Sequence, residues 1–361
     1  MGETKPKILV VSDIHLGSLD CERDLFIQFL QNIINGDLGD EIETLVILGD
    51  FIDLCMDVPE RLLKRDKVQK IFSLLQDIRK SINLVIVLGN HEIPVTGDYD
   101  EKFKRRELKF LLKFKNSTFN ELFNKELYCQ YLLLKNWNDE AVLSLYDSRD
   151  QIENNPIKQI KIKGIDLDME YKCFLTHGYQ FDSDMYRFFV GPIWKSLISN
   201  NKFEVKETYD YFWNEVVKEK RKIKPIKLDQ MKKELVVLKK MPKETINRLF
   251  SGLSHLEFNL IKTNMRIMTK WQRASHPDYY FGEIKAFLED DKYNLSKINH
   301  VIYGHTHHSG VSYGNINNQR VEILNSGSWQ HMQPSFIEIT SEGKLNLKGY
   351  NKKKANFFSL T

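Results

Sequence analysis

Three histidines follow a short apolar run in the sequence VIYGHTHH, at residues 301–308. Gly304 lets the chain turn there, so that His305 and His307 can converge on one centre. Imidazoles that converge in this way are typical metal ligands. An isolated H-x-H pair is more often a polar loop whose imidazoles are solvated, so the other polar residues of the chain have to decide between a metal site and a loop.

The composition is that of a folded protein with a large core. The chain has 361 residues, 42% of them hydrophobic, which suits one large α/β domain with an insertion or two domains. The four cysteines are widely spaced and include no C-x-x-C, so neither a disulfide framework nor a zinc ribbon is indicated. We find no signal-peptide core and no membrane span, and we therefore expect a cytoplasmic protein.

The formal net charge of +4 is distributed unevenly along the chain. Residues 201–250 contain 14 Lys and Arg against 8 Asp and Glu, so the basic excess is local. A local basic segment is compatible with a nucleic-acid partner but does not establish one. The sequence does not indicate an oligomeric state.

The first ninety residues alternate between strands and helices. Apolar β-rich runs predict strands at 7–12, 44–49 and 83–89, and amphipathic spacing predicts helices at 22–35 and 60–80. Strands that are apolar along their whole length belong to a parallel sheet that is covered on both faces. The sequence therefore predicts a βαβαβ unit.

The rest of the chain contains two more groups of strands with a long helical region between them. A helical stretch at about 101–126 comes first, and a second long one follows from about 184 to 290, rich in Lys, Glu and aromatic residues. Period-2 and apolar segments predict the following strands: 128–134, 141–146, 158–163, 171–176, 299–304, 319–326 and 334–340. Because it interrupts two strand-rich regions, we interpret the second helical region as an inserted cap.

Polar clusters stand where several of these strands end. They are Ser12-Asp13-Ile14-His15, Gly49-Asp50-Phe51-Ile52-Asp53, Gly89-Asn90-His91-Glu92 and Thr176-His177-Gly178. Taken singly, Asp and Asn are ordinary turn residues and a lone His is usually structural. Ligands nevertheless bind at the carboxyl ends of strands in such sheets, so the clusters together predict a site.

The order D-x-H, G-D-x-x-D, G-N-H-E, H-G and G-H-x-H resembles the motif series of the calcineurin-like metallophosphoesterases over nearly the whole chain. The resemblance implies an α/β fold, a four-layer α-β-β-α sandwich of two mixed sheets with an inserted helical cap. The expected phosphoesterase domain is 1–180 with 291–350, the cap is 181–290, and 351–361 is a C-terminal tail with a frayed end.

The same resemblance implies a site for two divalent metal ions. Asp13, His15 and His307 would bind one ion, whereas Asn90, His177 and His305 would bind the other, and Asp50 would bridge both. Two cations held by a shared carboxylate lower the pKa of water, which supplies hydroxide for in-line attack on phosphorus. Nitrogen and oxygen ligands without thiolate favour Mn, Fe or Zn over Ca, with Ni or Mg also compatible, and the family resemblance favours Mn.

Two further residues receive catalytic roles from the resemblance. His91 would face the phosphate, where it stabilises charge or protonates the leaving oxygen. Asp53 would orient His91 and raise the pKa of its imidazole, although an Asp in that position also suits a helix N-cap. Glu92 is interpreted as structural and His308 as solvent-facing, whereas His331 receives no role.

The substrate class is less sharply defined than the chemistry. Leu54 occupies the place of the phosphate-binding Arg of Ser/Thr protein phosphatases, which argues against protein dephosphorylation. We predict a metal-dependent phosphodiesterase or phosphatase that acts on a nucleotide-containing or nucleic-acid substrate. Two alternatives stay open, a hydrolase of a lipid-linked nucleotide diphosphate similar to UDP-diacylglucosamine hydrolases, because Asp182 and Asp184 follow His177, and a non-catalytic scaffold on the same fold.

The predicted cap offers two interpretations of its own. Its first part is crowded with aromatic residues: Phe181, Tyr186, Phe188, Phe189, Trp194, Tyr209, Tyr211, Phe212 and Trp213. These could form a lid that holds an anionic substrate and stacks on bases or covers an acyl chain. They could equally be the internal core of a helical subdomain whose lysines are solvated.

Overall fold

The computed structural model describes residues 6–18, 20–39, 41–53, 62–91, 128–146, 152, 156–181, 280–289, 295, 297–330, 334–351 and 356–360. All of them belong to one of two compact units, Met1–Tyr186 together with His276–Thr361. The other unit, Arg187–Ser275, lies outside the described residues. The same is true of the helix expected at 101–126 and of most of the predicted cap, whose bounds stay a prediction.

The first sheet is built around the βαβαβ unit expected from the sequence. Strands β1 (Pro6–Val11), β2 (Thr44–Leu48) and β3 (Asn83–Val87) are parallel neighbours. They are connected through helices α1 (Arg23–Ile34) and α2 (Asp66–Arg79). Because each strand is buried on both faces, it is apolar along its length, as the sequence predicts for a parallel sheet.

Among the described residues, four more strands belong to this sheet. The short strand β4 (Tyr128–Cys129) pairs with β3 in parallel. On the other side, β12 (Ser335–Thr340) lies antiparallel to β1 and is followed by β13 (Leu345–Asn351) and β14 (Asn356–Ser359). The order is β14-β13-β12-β1-β2-β3-β4, which makes the sheet mixed.

The second sheet also has seven strands among the described residues. Its members are β5 (Tyr131–Trp137), β6 (Glu140–Tyr146), β7 (Lys158–Ile162), β8 (Lys172–Thr176), β9 (His300–Tyr303), β10 (Gly310–Ile316) and β11 (Gln319–Asn325). Their order is β10-β11-β9-β8-β5-β6-β7. Strand β9 runs parallel to β8 and β11, whereas the other neighbours are antiparallel, so this sheet is mixed too.

Alternating side chains of the strands divide the core into layers. In β1, Leu9 and Val11 pack with the helices α1 and α2, whereas Ile8 and Val10 pack between the two sheets. The outer face of the second sheet packs against helix α3 (Phe281–Leu288). The order helix, sheet, sheet, helix confirms the four-layer sandwich of two mixed sheets.

Helix α1 shows how the outer layers are attached. Its buried residues Phe26, Phe29, Leu30 and Ile33 recur at the spacing of one helical face. Phe26 and Phe29 each approach the fully buried Trp329, with ring centroids 5.0 Å apart in both pairs.

Among the described residues, no helix combines the length and the apolar content that crossing a membrane requires.

Three of these strands lie outside the predicted segments, and the single strand predicted at 128–134 is two strands, β4 and β5, in different sheets. Strand β10 contains Gly310 and Gly314, and Gly314 lies so close to Phe281 of helix α3 that a Cβ would collide with the ring. The sequence predicts no strand at the position of β13. The expected frayed end is wrong for β14, because its backbone pairs with β13 in antiparallel register from Asn351↔Asn356 to Lys348↔Ser359.

Candidate metal centre

The loops after β1 and β2 run alongside each other and carry four of the predicted residues. The amide of Asp13 donates to the carbonyl of Gly49 at 3.0 Å, and the amide of His15 donates to the carbonyl of Asp50 at 2.8 Å. The amide of Asp53 in turn donates to the carbonyl of Leu16 at 2.8 Å. These backbone hydrogen bonds fix the spacing of the side chains that the two loops present.

Five of the seven predicted metal ligands have a left-handed backbone. Their φ angles are 52° for Asp13, 51° for His15, 49° for Asp50, 69° for His305 and 62° for His307. Residues other than glycine rarely adopt such angles, which cost of order 1–3 kcal/mol each and persist where the surroundings hold them. Strain of this kind concentrates at functional sites, and here it coincides with the predicted ligands.

The first cluster comprises Asp13, His15, Asp50 and His307, and one ligand atom from each lies within 4.8 Å of the others. His15 Nε2 lies 3.5 Å from Asp50 Oδ2 and 3.7 Å from Asp13 Oδ1. His307 Nε2 lies 3.2 Å from Asp13 Oδ1 and 3.1 Å from His15 Nε2. Two carboxylates and two imidazoles therefore face one point.

The second cluster comprises Asp50, His177 and His305. His177 Nε2 lies 3.2 Å from both Asp50 Oδ2 and Asn90 Oδ1. His177 Nδ1 donates to the carbonyl of Leu48 at 2.8 Å, which fixes the ring and leaves Nε2 directed at the cluster. A metal-binding imidazole is generally held by its other nitrogen in this way. Asp50 belongs to both clusters, as a bridging carboxylate must.

Asp53 lies beside the first cluster and contacts two imidazoles. Its Oδ1 accepts a hydrogen bond from His91 Nδ1 at 2.8 Å, and its Oδ2 lies 3.3 Å from His15 Nδ1. The amide of His91 donates to Asp50 Oδ1 at 2.9 Å, while His91 Nε2 lies 3.8 Å from Asp50 Oδ2. The side chain of His91 is 25% exposed, so this imidazole borders both the clusters and solvent.

The residues present fit a pair of divalent cations. Asp13 Oδ1 is buried 3.2 Å from His307 Nε2, but the geometry is not that of a hydrogen bond and no other described residue supplies one, so this oxygen offers an acceptor that a cation would satisfy. A Cβ at Gly304 would collide with Asp13 Oδ2, and one at Gly89 would collide with Asp50 Oδ1. The backbone thus approaches both carboxylates closely and holds them in place.

Carboxylates and imidazoles in the centre shift each other's pKa. Burial alone would raise the pKa of Asp13 and Asp50, but the nearby His177 and the other imidazoles hold both pKa values well below the usual range. Burial opposes protonation of the imidazoles, yet Asp13 and Asp53 raise the pKa of His15 to about 9. Asp50 and Asp13 likewise raise the pKa of His177 to about 9.

Metal binding should therefore release protons and strengthen as the pH rises. Because the pKa values of His15 and His177 are raised to about 9, both imidazoles are mainly protonated at pH 7 in the metal-free protein, and each would have to lose its proton before its nitrogen could bind a cation. We expect about two protons to be released per loaded centre at pH 7, and the affinity to level off above about pH 9. Calorimetric titration with Mn²⁺ in two buffers of different ionisation enthalpy measures this number, and an affinity that does not change with pH would contradict it.

The remaining polar residues named from the sequence have smaller parts. His308 is partly exposed, and its amide donates to Thr306 Oγ1 at 3.4 Å. Glu92, His331, Leu54 and the pair Asp182 and Asp184 lie outside the described residues. The sequence indicates no chemical role for Ser12 or Asn325, yet Ser12 Oγ donates to the carbonyl of Gly327 and Asn325 Nδ2 donates to the carbonyl of Gly304, next to His305. The only pattern that pointed to Asn325 was the turn sequence NSGS at 325–328.

A metal centre at the strand ends of a two-sheet α-β-β-α sandwich defines a class of phosphoesterase. The model of the calcineurin-like phosphoesterase family matches residues 6–309. The chain therefore belongs to the calcineurin-like phosphoesterase family, and the family together with the clustered Asp and His residues supports a dinuclear divalent metal site.

Two individual proteins are similar to parts or the whole of the chain. The DNA polymerase II small subunit of Methanothermobacter thermautotrophicus is 29% identical over 126 residues, a match that covers 31% of this chain and 26% of that protein. The matched region thus spans about a quarter of that relative's length. A dimetal phosphatase from Danio rerio aligns over 99% of both chains at 10% identity with a TM-score of 0.38.

Proposed function

We propose that this chain is a phosphoester hydrolase that depends on two divalent metal ions. The observation that carries the proposal is the convergence of two Asp/His clusters that share Asp50. In this proposal the first ion is bound by Asp13, His15 and His307, and the second by Asn90, His177 and His305. Together with Asp50, these residues follow five different strands, β1, β2, β3, β8 and β9, so their convergence is a property of the fold and not of a local sequence.

The chain's own residues have distinct parts in this mechanism. Bound cations would polarise water and neutralise the charge of the phosphoryl group. Asp50 would keep the two ligand sets together. Its carboxylate accepts a hydrogen bond from the backbone amide of His91, which connects the residue that carries the His91 imidazole to the centre. Manganese is our preferred metal, because the donor set contains nitrogen and oxygen without thiolate and the family resemblance favours it.

His91 is the proposed catalytic imidazole. Its Nδ1–H donates to Asp53 at 2.8 Å, so Nε2 is left to face the substrate side of the centre. A proton on Nε2 can stabilise the transferring phosphoryl group or pass to the leaving oxygen. Asp53 holds the ring in this orientation by accepting the hydrogen bond from Nδ1.

We favour a nucleotide-containing or nucleic-acid substrate. One relative is a subunit of a DNA polymerase, and residues 201–250 carry a local excess of Lys and Arg. The alternative of a lipid-linked nucleotide diphosphate would use the aromatic residues of the cap as an apolar groove. Phe181, the one member of that group among the described residues, is 3% exposed and packs against Phe287 and Tyr303 instead.

A hydrolysis assay tests the proposal directly. The metal-stripped protein is supplied with Mn²⁺, Fe²⁺, Zn²⁺, Ni²⁺ or Mg²⁺ and offered a nitrophenyl phosphate monoester, a bis-nitrophenyl diester and single-stranded DNA. We expect metal-dependent hydrolysis, fastest with Mn²⁺, and cleavage of the DNA if the substrate preference is right. The absence of hydrolysis with every ion would leave a non-catalytic scaffold as the better description.

A further inference from the structure

A short turn, Asn325–Trp329, begins at the last residue of strand β11. It contacts the ligand-bearing turns after β1 and β9 without contributing a proposed ligand. Asn325 is 1% exposed, and its side-chain amide makes three hydrogen bonds in this region. Its Nδ2 donates to the carbonyl of Gly304 and to Thr306 Oγ1, both at 2.9 Å. Its Oδ1 accepts the amide of Gly327 at 2.9 Å.

These contacts hold the residues on both sides of His305. Gly304 precedes His305, and Thr306 separates it from His307, so one side-chain amide spans the turn that carries both imidazoles. Both histidines have a left-handed backbone, with φ of 69° and 62°. A backbone in that region needs fixed partners to persist. Asn325 supplies two of them.

The other end of the same turn holds Asp13. The carbonyl of Asp13 accepts the amide of Trp329 at 3.0 Å and the hydroxyl of Ser328 at 3.3 Å. Ser12 Oγ donates to the carbonyl of Gly327 at 3.0 Å. The turn therefore connects a ligand from the end of β1 to two ligands from the end of β9.

We propose that Asn325 is a positioning residue for both metal ions. Resting on the proposed function, this inference assigns Asn325 the task of setting the distance between Asp13 and His307 on one ion and the orientation of His305 on the other. Asn325 would touch neither ion nor substrate. Its removal should therefore weaken both metal sites together, whereas the loss of a single ligand would weaken mainly one.

The variant Asn325→Asp tests the inference, because it keeps the size of the side chain and the acceptor for Gly327 but loses both donors. Its matched control is Asn136→Asp, since Asn136 Nδ2 likewise donates to a backbone carbonyl, that of Leu167 at 2.7 Å, on a strand end without predicted ligands. Thr306→Val removes only one of the two acceptors and serves if Asn325→Asp does not fold. Mn²⁺ binding by titration and the electron paramagnetic resonance spectrum of the Mn²⁺ pair are measured for each.

We expect Asn325→Asp to bind Mn²⁺ about 10–100-fold more weakly at both sites and to lose the spectrum of a coupled pair. Thr306→Val should show a smaller loss in the same direction, and Asn136→Asp should resemble the wild type. Wild-type affinity and spectrum in both site variants, or an equal loss in the control, would overturn the inference while leaving the proposed function intact. A wild-type chain that binds no pair of ions would overturn the proposed function itself, and this inference with it.

Discussion

Asparagine in place of Asp50 should lower kcat about 10³-fold or more. The Asp50 carboxylate belongs to both clusters, with Oδ2 3.5 Å from His15 Nε2 and 3.2 Å from His177 Nε2. An amide has nearly the same shape but lacks the negative charge that would hold two cations together, and metal ions supply several kcal/mol of transition-state stabilisation. The measurement is kcat on the diester with saturating Mn²⁺, together with the number of ions bound.

The control for this variant is Asp24→Asn. Asp24 is a carboxylate on the surface, 74% exposed and paired with Lys67, and its replacement should change neither kcat nor metal content. If Asp50→Asn hydrolyses the diester as fast as the wild type, then the activity does not come from this centre. That result would refute the proposed mechanism regardless of which metal was used.

Glutamine in place of His91 should lower kcat about 10²- to 10⁴-fold while both ions remain bound. His91 would not be a metal ligand, so its loss removes a proton donor and not a cation. Its Nδ1 contact with Asp53, at 2.8 Å, gives the ring one orientation that an amide side chain does not reproduce. The measurement is a pH profile of kcat on monoester and diester, with metal analysis of the same samples. It distinguishes the loss of a proton donor from the loss of a bound cation.

His300→Gln is a matched control for that experiment. His300 is 22% exposed, close to the 25% of His91, and its Nδ1 also lies against a carboxylate, Glu322 Oε2 at 3.1 Å. It lies at the start of β9, whereas the centre lies beyond the end of that strand. We expect normal kcat from His300→Gln, and an equal loss in both variants would mean that His91 acts through general stability.

Much of this architecture could be predicted from the sequence because the informative patterns are local. The strands β1, β2 and β3 are short apolar runs, and each ends at a polar cluster that contains a predicted ligand. A parallel sheet brings such ends to one edge, which predicts that Asp13, His15, Asp50 and Asn90 lie together. His177, His305 and His307 follow other strands, and only the family resemblance grouped them with the first four. The bounds of the helices moved by a few residues, and α2 begins at Asp66 instead of residue 60.

The parts that sequence reasoning missed depend on contacts between distant residues. Asn325 reads as an ordinary turn residue until the fold brings Gly304 and Thr306 against its amide. Strand β10 lacks a continuous apolar run because it lies at the edge of its sheet and packs a glycine under Phe281. The left-handed backbone at Asp13 and Asp50 is likewise invisible in a residue type that is common in any turn.

The proposed ligands come from opposite halves of the sandwich, and this has a consequence for the durability of the molecule. Asp13, Asp50 and Asn90 follow strands of the first sheet, whereas His177 and His305 follow strands of the second. Each cation in such a centre would link the two sheets. At a free ion concentration of a hundred times its dissociation constant, it would add about 2.7 kcal/mol to the free energy of unfolding. The supply of divalent ions would then govern resistance to proteolysis as well as turnover, because a molecule that loses its ions loses both its activity and the link between its two sheets.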